Sequence, residues 1–183
     1  DIVNSDNINF YGYPIQPQEN PISLNEGWNW LGYLPQYPGM INDALASIND
    51  NAKFIKNQAS SAEYYDGYGW YPAFDIDVKN MYLLNLASAG TMLYEGAPAD
   101  PSDVEMNLST GWNWIGYIPS FSLDVSEALA GAALLANDYI KSQTTAATYY
   151  DGYGFYPSFD MQPTAGYMLK MENASTLVYP SGM

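Results

Sequence analysis

Two tyrosine-rich segments hold the side chains best suited to contacting a ligand. YYDGYGWYPAFD spans residues 64–75 and YYDGYGFYPSFD spans residues 149–160, and ten of the twelve positions are identical. Tyr68 and Tyr153 each lie between two glycines at the centre of these segments. A side chain flanked by glycines at a turn has few neighbours to cover it, so we expect both rings to be exposed and to bind a ligand.

A second tyrosine in each segment precedes a proline. Tyr71 and Tyr156 fit either the protein core or the rim of a binding surface, and both are candidate ligand-binding residues. Exposed tyrosine provides contact area at a low entropic cost and a hydroxyl group for polar partners. Its ring also suits the apolar face of a sugar, so peptide and carbohydrate ligands are both open.

Charged groups accompany these tyrosines. Asp151, like Asp66, precedes a glycine, which is common turn chemistry; Asp151 is also a candidate ligand contact. Lys56 and Lys141 occupy equivalent positions upstream and are two of only five basic residues. Each is either a solubilising surface charge or an anion-binding group, and Lys141 is included among the candidate ligand-binding residues.

An Asp-x-Asp pair is the candidate metal site. Asp75 and Asp77 offer carboxylate oxygens, which are the ligands that Ca²⁺ prefers. The second segment has Asp160 and Gln162 at these places and so carries less negative charge. The full EF-hand loop pattern is absent. We therefore take Asp75 and Asp77 as candidate ligands, with Ca²⁺ as the candidate cofactor.

The composition excludes several kinds of chemistry. The 183 residues include no Cys, His or Arg, so the chain has no thiolate, no imidazole base and no guanidinium fork. A formal net charge of −15 excludes nucleic acid as a partner, because binding phosphate needs clustered Lys or Arg. No apolar run is long enough for membrane insertion. No carboxylate pair stands out beyond turn positions, so we expect no enzymatic activity.

Several blocks recur in the same order and indicate a duplicated unit. GWNWLGYLP at 27–35 matches GWNWIGYIP at 111–119, and FIKNQ at 54–58 matches YIKSQ at 139–143. The first block recurs after 84 residues, and the second block and the tyrosine-rich segments recur after 85, so one residue is inserted between the two blocks. We expect one compact ligand-binding domain with four segments: an N-terminal extended arm at 1–21, repeat 1 at 22–96, a linker at 97–104 and repeat 2 at 105–183.

The linker region, APADPSDVE, is rich in proline and acidic residues, so we expect it to be exposed. Because it is short, the two repeats should lie side by side. Duplication favours an approximate two-fold arrangement, with a groove between the repeats.

Each repeat of about 75 residues is predicted to be mostly antiparallel β-sheet with one helix, which gives an α+β fold. The tyrosine-rich segments read as strand pairs joined by glycine-containing turns, and MYLLNL and TMLYEG read as two further strands joined at 87–90. Apolar spacings predict one helix beginning near Asn42 and another that begins near Asp124 or Ser126 and includes Leu134. Alternation puts Trp28 and Trp30 on one face of a strand, and we expect at least one of them in the core.

The order of these motifs resembles a known family. GWNWIGY, an Ala-Leu helix, IKSQ, the tyrosine-rich segment and GYML…TLVYP are similar to a tandem repeat of large secreted and cell-surface bacterial proteins. The resemblance is to the peptide-binding domain of giant repeats-in-toxin (RTX) adhesins in particular, and it covers residues 22–181. Repeat 1 departs from the pattern at Val78 and Met81, where repeat 2 has Pro163 and Gly166.

The resemblance implies a non-enzymatic adhesion module that binds the C-terminal end of a peptide on another cell, in an extracellular, calcium-containing setting. It also implies a monomeric unit within a longer bacterial surface protein, and the start at Asp1 without Met leads to the same expectation. Two alternatives stay open. One is a carbohydrate-binding module that uses exposed tyrosines, and the other is a structural spacer with no ligand of its own.

Overall fold

A computed structural model describes residues 19–181, and short strands dominate it. The arm predicted at 1–21 lies outside the described residues except for its last three, which belong to the first strand. The elements of the first half are β1 (Glu19–Leu24), β2 (Gly27–Gly32), β3 (Gly39–Met40), α1 (Ile41–Ala44), a 3₁₀ segment (Ala46–Asn51), β4 (Ala52–Lys56), β5 (Ser61–Tyr65), β6 (Gly69–Tyr71), β7 (Asp75–Ile76), β8 (Met81–Leu86) and β9 (Gly90–Glu95).

The elements of the second half follow in the same order, after a 3₁₀ segment at Pro101–Asp103. They are β10 (Met106–Leu108), β11 (Gly111–Gly116), β12 (Leu123–Asp124), α2 (Val125–Ala128), β13 (Tyr139–Lys141), β14 (Ala146–Tyr150), β15 (Gly154–Tyr156), β16 (Asp160–Met161), β17 (Gly166–Met171) and β18 (Ser175–Leu177).

Each half contains a five-stranded antiparallel sheet. The strand order is β2-β8-β4-β5-β6 in the first half and β11-β17-β13-β14-β15 in the second. Two-stranded pairs accompany each sheet: β1–β9 and β3–β7, then β10–β18 and β12–β16. The prediction of a mostly antiparallel β fold with little helix is confirmed, and the tyrosine-rich segments form the predicted hairpins β5–β6 and β14–β15. The strands β8 and β9 are present but do not pair with each other, because β8 lies between β2 and β4 whereas β9 pairs with β1.

Both helices are shorter than predicted. The second was expected to include Leu134 but ends at Ala128, where Leu129 caps it. A few residues later, the backbone at Gly131 passes so close to the carbonyl of Val178 that a Cβ would collide with it. No helix within residues 19–181 is long and apolar enough to cross a membrane.

The GWNW motif fixes how the first strand of each sheet begins. Gly27 adopts φ +80°, which favours glycine. The Asn29 amide then closes the turn: it accepts the Asn25 N–H at 2.9 Å and donates to the Asn25 carbonyl at 2.8 Å. Asn113 makes the same two bonds with Ser109. A buried amide with its hydrogen bonds satisfied is tolerated in a core, so asparagine points inward.

The tryptophans therefore face the opposite way from the prediction. Because Asn29 is buried, alternation along β2 turns Trp28 and Trp30 to the other side of the sheet. Trp28 is 46% exposed and Trp112 is 41% exposed, while Trp30 and Trp114 are half-buried. The expectation that one tryptophan of each pair lies in the core was wrong.

Each half has its own hydrophobic cluster. The first is built around Trp70 and Tyr82, and the second around Tyr117, Tyr167 and other buried side chains. Val78 belongs to the first half in sequence but packs in the cluster of the second. The halves therefore share apolar contacts, as the prediction of side-by-side repeats requires.

The linker also packs between the halves. Ala99 is buried, and its N–H donates to the Leu34 carbonyl at 2.9 Å. The Gln36 N–H donates to the Ala97 carbonyl, also at 2.9 Å. Most other linker residues are exposed as expected, whereas Pro101 and Val104 are half-buried and Val104 packs against the cluster of the second half.

Two glutamines close the inner edge strand of the opposite half. The Gln58 amide accepts the Trp114 N–H at 2.9 Å and donates to the Trp112 carbonyl at 2.7 Å. Gln143 makes the reciprocal pair of bonds to β2, at 3.1 and 2.7 Å. A side-chain amide carries one acceptor and donors in one plane, so it can pair with an edge strand as a peptide group would.

Glycine at the end of these edge strands lets the halves come close. The Gly32 N–H donates to the Thr164 carbonyl at 2.7 Å, and the Gly116 N–H donates to the Lys79 carbonyl at 3.1 Å. A Cβ on Gly32 would lie 2.7 Å from the carbonyl oxygen of Ala165. The second glycine of GWNW[LI]G is therefore required by the contact between the halves.

Removing the edge-closing amides should destabilise the fold. We expect Gln58→Ala and Gln143→Ala each to lower the free energy of unfolding by about 1 kcal/mol, because each removes two hydrogen bonds between the halves. Gln36→Ala, at an exposed glutamine after β2, is the matched control and should change it by less than about 0.5 kcal/mol. Urea denaturation measures the difference, and equal losses in all three variants would contradict the role given to Gln58 and Gln143.

Candidate ligand-binding faces

A row of side chains crosses the solvent-facing side of the first five-stranded sheet. Cross-strand register brings together, from β2 to β6, Trp28, Asn85, Phe54, Glu63 and Tyr71. Neighbouring strands lie about 4.8 Å apart, so the row extends over roughly 19 Å. We call it the first face.

The second sheet carries a row at the same register. Its members, from β11 to β15, are Trp112, Lys170, Tyr139, Thr148 and Tyr156. Aromatic residues occupy the same three strands as in the first face, whereas the polar residues between them differ. We call this row the second face.

Neighbouring rings on both faces are nearly perpendicular. The ring centroids of Trp28 and Phe54 are 6.0 Å apart, with an interplanar angle of 80°. Trp112 and Tyr139 are also 6.0 Å apart, at 86°. Edge-to-face geometry is favourable for aromatic pairs. It also gives each face a corner bounded by one ring face and one ring edge, instead of a flat platform.

The tyrosine-rich hairpins extend both faces at their outer ends. Tyr68 and Tyr153 are 71% and 72% exposed, so the prediction that both rings face solvent is confirmed. Tyr71 and Tyr156 are exposed as well, which resolves the choice between core and rim. Each pair is edge-to-face, with centroids 6.0 Å apart in the first hairpin and 6.1 Å in the second. A ligand-binding role for the four tyrosines stays a prediction.

Asp151 lies at the exposed tip of the second hairpin. The next residue, Gly152, has φ +73°, and the Tyr153 N–H donates to the Tyr150 carbonyl at 3.0 Å across the turn. Asp66 occupies the same position in the first hairpin, and both carboxylates are exposed. The position fits ordinary turn chemistry and leaves the Asp151 carboxylate accessible to a ligand.

The structure places Lys141 between the two halves. Its Nζ lies 5.0 Å from the ring centroid of Trp112 and 5.9 Å from that of Trp30 in the other half. Lys56 Nζ likewise lies 5.5 Å from the ring centroid of Trp114. These are cation–π distances. Both lysines therefore bridge the junction between the halves.

Pockets open beside these junction residues. One of 310 Å³ is lined in part by Lys56, Asn57, Ser60 and Trp114. One of 260 Å³ involves Trp30 and the β13–β14 turn, which is the matching place in the other half. These are two separate pockets, neither Tyr68 nor Tyr153 lines them, and the groove between the repeats stays a prediction.

The outer edges of both sheets are closed by side chains. The Trp70 N–H on β6 donates to Asn42 Oδ1 at 2.8 Å. The Phe155 N–H on β15 donates to Ser126 Oγ at 3.0 Å. Together with the glutamines at the inner edges, these bonds engage the outward-facing N–H groups at the middle of each edge strand.

Buried tyrosines serve the fold rather than the faces. The Tyr82 hydroxyl accepts the Asp77 N–H at 2.8 Å, and the Tyr167 hydroxyl accepts the Gln162 N–H at 2.7 Å. Burial raises the pKa of both phenols, since the charged form is poorly solvated there. The tyrosine content thus divides between a hydrogen-bonded core and exposed faces.

One exposed tyrosine on the first face is bonded to an acid. The Tyr65 hydroxyl donates to Glu63 Oε2 at 2.8 Å, and this bond, together with the negative charge, raises the pKa of Tyr65. The matching residues of the second half are Tyr150 and Thr148, so no carboxylate is present at that position.

Asp77 has a structural role at the candidate metal pair. Its Oδ1 accepts the N–H groups of Lys79 and Asn80 at 2.9 and 3.2 Å, and the Asn80 side chain at 2.9 Å. Asp75 is exposed on β7. Residues 19–181 contain no cluster of three or more acidic, His or Cys side chains placed to hold a metal. Ca²⁺ binding at Asp75 and Asp77 stays a prediction that needs oxygens beyond these two carboxylates, because Ca²⁺ takes six to eight.

Sequence reasoning missed several residues of the faces and the junction. Phe54 and Tyr139 were not singled out, although they share strand alternation with Lys56 and Lys141. Gln58 and Gln143 carried a clearer signal, since IK[NS]Q keeps the glutamine in both copies.

Comparison with known proteins gives the chain no relative. It matches no family model, no curated protein and no solved structure.

The Asp77 loop provides a test of the metal pair. We expect Asp77→Ala to lower the free energy of unfolding by about 1–2 kcal/mol, equally in Ca²⁺ and in EDTA, because the loss is that of backbone hydrogen bonds. Asp75→Ala, at an exposed carboxylate, is the control and should change it by less than about 0.5 kcal/mol. Thermal melts measure both. Stabilisation by Ca²⁺ that either substitution abolishes would contradict this interpretation and support a calcium site.

Proposed function

We propose that this protein is an extracellular, non-enzymatic adhesion module that binds peptide segments of a partner cell surface on its two aromatic faces. The observation that carries the proposal is the outward placement of Trp28, Phe54 and Tyr71, repeated by Trp112, Tyr139 and Tyr156. Trp28, Tyr71, Trp112 and Tyr156 are exposed, and Phe54 and Tyr139 are half-buried beside them. Burial would favour these side chains energetically, so their repeated placement on the solvent-facing sides of the sheets indicates a recognition surface.

Closed edges direct the ligand to the faces. A peptide that adds to a sheet as an extra strand needs free N–H and C=O groups on an edge strand. At the inner edges of the two five-stranded sheets, Gln58 and Gln143 each engage an N–H and a C=O group. At the outer edges of these sheets, Asn42 and Ser126 each engage an N–H group. We therefore infer binding through side-chain contacts, with the ligand lying across the strands.

The angle between neighbouring rings favours a peptide over a flat polysaccharide. Stacking of a sugar chain along a face needs rings that share one plane, whereas Trp28 and Phe54 meet at 80° and Trp112 and Tyr139 at 86°. A peptide projects separate side chains, which can enter such corners. Tyrosine and tryptophan are also the residues that protein-recognition surfaces use most for rigid contact area.

The junction lysines support recognition of a peptide C-terminus. Lys56 and Lys141 are two of only five cations in a chain with net charge −15. Lys56 lines a pocket with the polar side chains of Asn57 and Ser60. A terminal carboxylate placed there would meet a positive charge and hydrogen-bond donors, so we place the peptide terminus at the junction.

We also infer that the two repeats are related by an approximate two-fold axis through the junction. Support comes from reciprocal contacts: Gln58 with β11 and Gln143 with β2, and Lys56 over Trp114 and Lys141 over Trp30. Such an arrangement presents two faces in one unit, as a monomeric module of a longer surface protein. Two faces that bind one partner gain affinity through effective concentration.

Substitution on the faces tests the proposal. We expect the chain to bind members of a random peptide library with free C-termini, and to bind them less well when the termini are amidated. Trp28→Ala with Trp112→Ala should weaken this binding about tenfold or more, because exposed tryptophans are typical hot spots. Tyr37→Ala, at a tyrosine that is 76% exposed outside both faces, is the matched control and should have no effect.

A glycan array is the second arm of this experiment. Glycan binding without peptide binding would contradict the proposal and favour the carbohydrate-binding alternative. If neither peptides nor glycans bind while circular dichroism shows an intact fold, the structural-spacer alternative would be favoured. Equal weakening by Tyr37→Ala would place the ligand away from the faces.

A further inference from the structure

Glu63 is an acidic residue with aromatic neighbours on three sides. Phe54 and Tyr71 are its cross-strand neighbours in β4 and β6, with Cβ atoms about 5 Å away in such pairs. Tyr65 lies two residues further along β5 on the same side of the sheet, and its hydroxyl bonds to Glu63 Oε2. The carboxylate is therefore held in place with three aromatic side chains around it.

This carboxylate has no cationic partner among the described residues. Within residues 19–181 the one ion pair closer than 4.0 Å joins Lys170 to Glu172. Among those residues none donates a hydrogen bond to Glu63 Oε1, so that oxygen is open to a ligand. The chain also contains no Arg that could pair with Glu63 from within.

The second face differs at this position. Thr148 replaces Glu63 between the aromatic neighbours Tyr139 and Tyr156. Lys170 replaces Asn85 in the same row. The two faces thus share their aromatic residues but differ in charge, with an acid on the first and a base on the second.

We propose that the first face binds an arginine side chain of the peptide partner at Glu63, and that the second face does not. A guanidinium group can stack on an aromatic ring and donate to a carboxylate at the same time, which an ammonium group does less well. The net charge of −15 attracts such a cation. This inference rests on the proposed function, since it names one side chain that the peptide would carry.

Nuclear magnetic resonance titration of the intact chain tests the site with small probes. N-acetyl-arginine amide carries the guanidinium, and N-acetyl-citrulline amide is its neutral isostere. We expect the arginine probe to shift the backbone amide signals of Glu63, Tyr65 and Tyr71, and to leave those of Thr148 and Tyr156 unchanged. The citrulline probe should shift neither set. Equal responses to both probes, or at both faces, would overturn the inference.

Charge-swapping variants complete the test. Glu63→Gln should lower the affinity for the arginine probe about tenfold, as expected for the loss of a charge-assisted contact. Thr148→Glu should create binding at the second face. Asp103→Asn removes the same charge from an exposed linker residue and should change nothing. With every variant folded, an unchanged affinity of Glu63→Gln for the arginine probe would overturn the proposed site. An equal loss of affinity in Asp103→Asn would also overturn it.

The two proposals fail in different ways. Peptide binding that depends on Trp28 and Trp112 but shows no preference for arginine would retain the adhesion proposal and overturn the arginine site. Selective binding of the arginine probe at Glu63, with no peptide bound from the library, would retain the site and overturn the adhesion proposal.

Discussion

The hydrogen bonds from Gln58 and Gln143 to the opposite edge strands are the interaction on which the rest of the structure depends. Each amide binds an N–H and a carbonyl that an edge strand would otherwise leave unpaired. The same contact fixes β2 and β11, and so orients the indoles that they carry. It also explains the glycines at the ends of both strands, because a side chain there would hold the halves apart. The junction is thus a mutual completion of two sheets.

The edges and the faces of the five-stranded sheets carry different kinds of side chain. Glutamine, asparagine and serine side chains engage outward N–H groups at the edges of the two five-stranded sheets, which disfavours strand addition there. The aromatic residues lie instead on the solvent-facing sides of these sheets. The aromatic positions are the same on both faces. The charged and polar positions differ, because the first face has Glu63 and Asn85 where the second has Thr148 and Lys170.

Local patterns predicted much of this arrangement. Strand alternation, glycine turns and repeated blocks identified the antiparallel strands and the exposure of Tyr68 and Tyr153. The predicted buried face of the GWNW strand was wrong. Hydrophobicity alone puts tryptophan inside, whereas the Asn29 side-chain amide makes its hydrogen bonds within the turn and can therefore be buried. The helix predicted to include Leu134 ends at Ala128, shortly before the backbone at Gly131 meets the carbonyl of Val178, and no local pattern shows this contact. The pairing of Gln58 with β11 joins residues far apart in the chain, and no local pattern encodes such a contact.

Native-state hydrogen exchange at four backbone amides tests the central claim, that side chains close the edges of the two five-stranded sheets. The amides are those of Trp30, Trp70, Trp114 and Phe155, each of which lies on an edge strand and donates to a side chain. Closed edges predict slow exchange at all four, comparable to that of amides within the sheets. Exchange at the rate of unprotected amides would mean that the edges are open to strand addition and would contradict the claim.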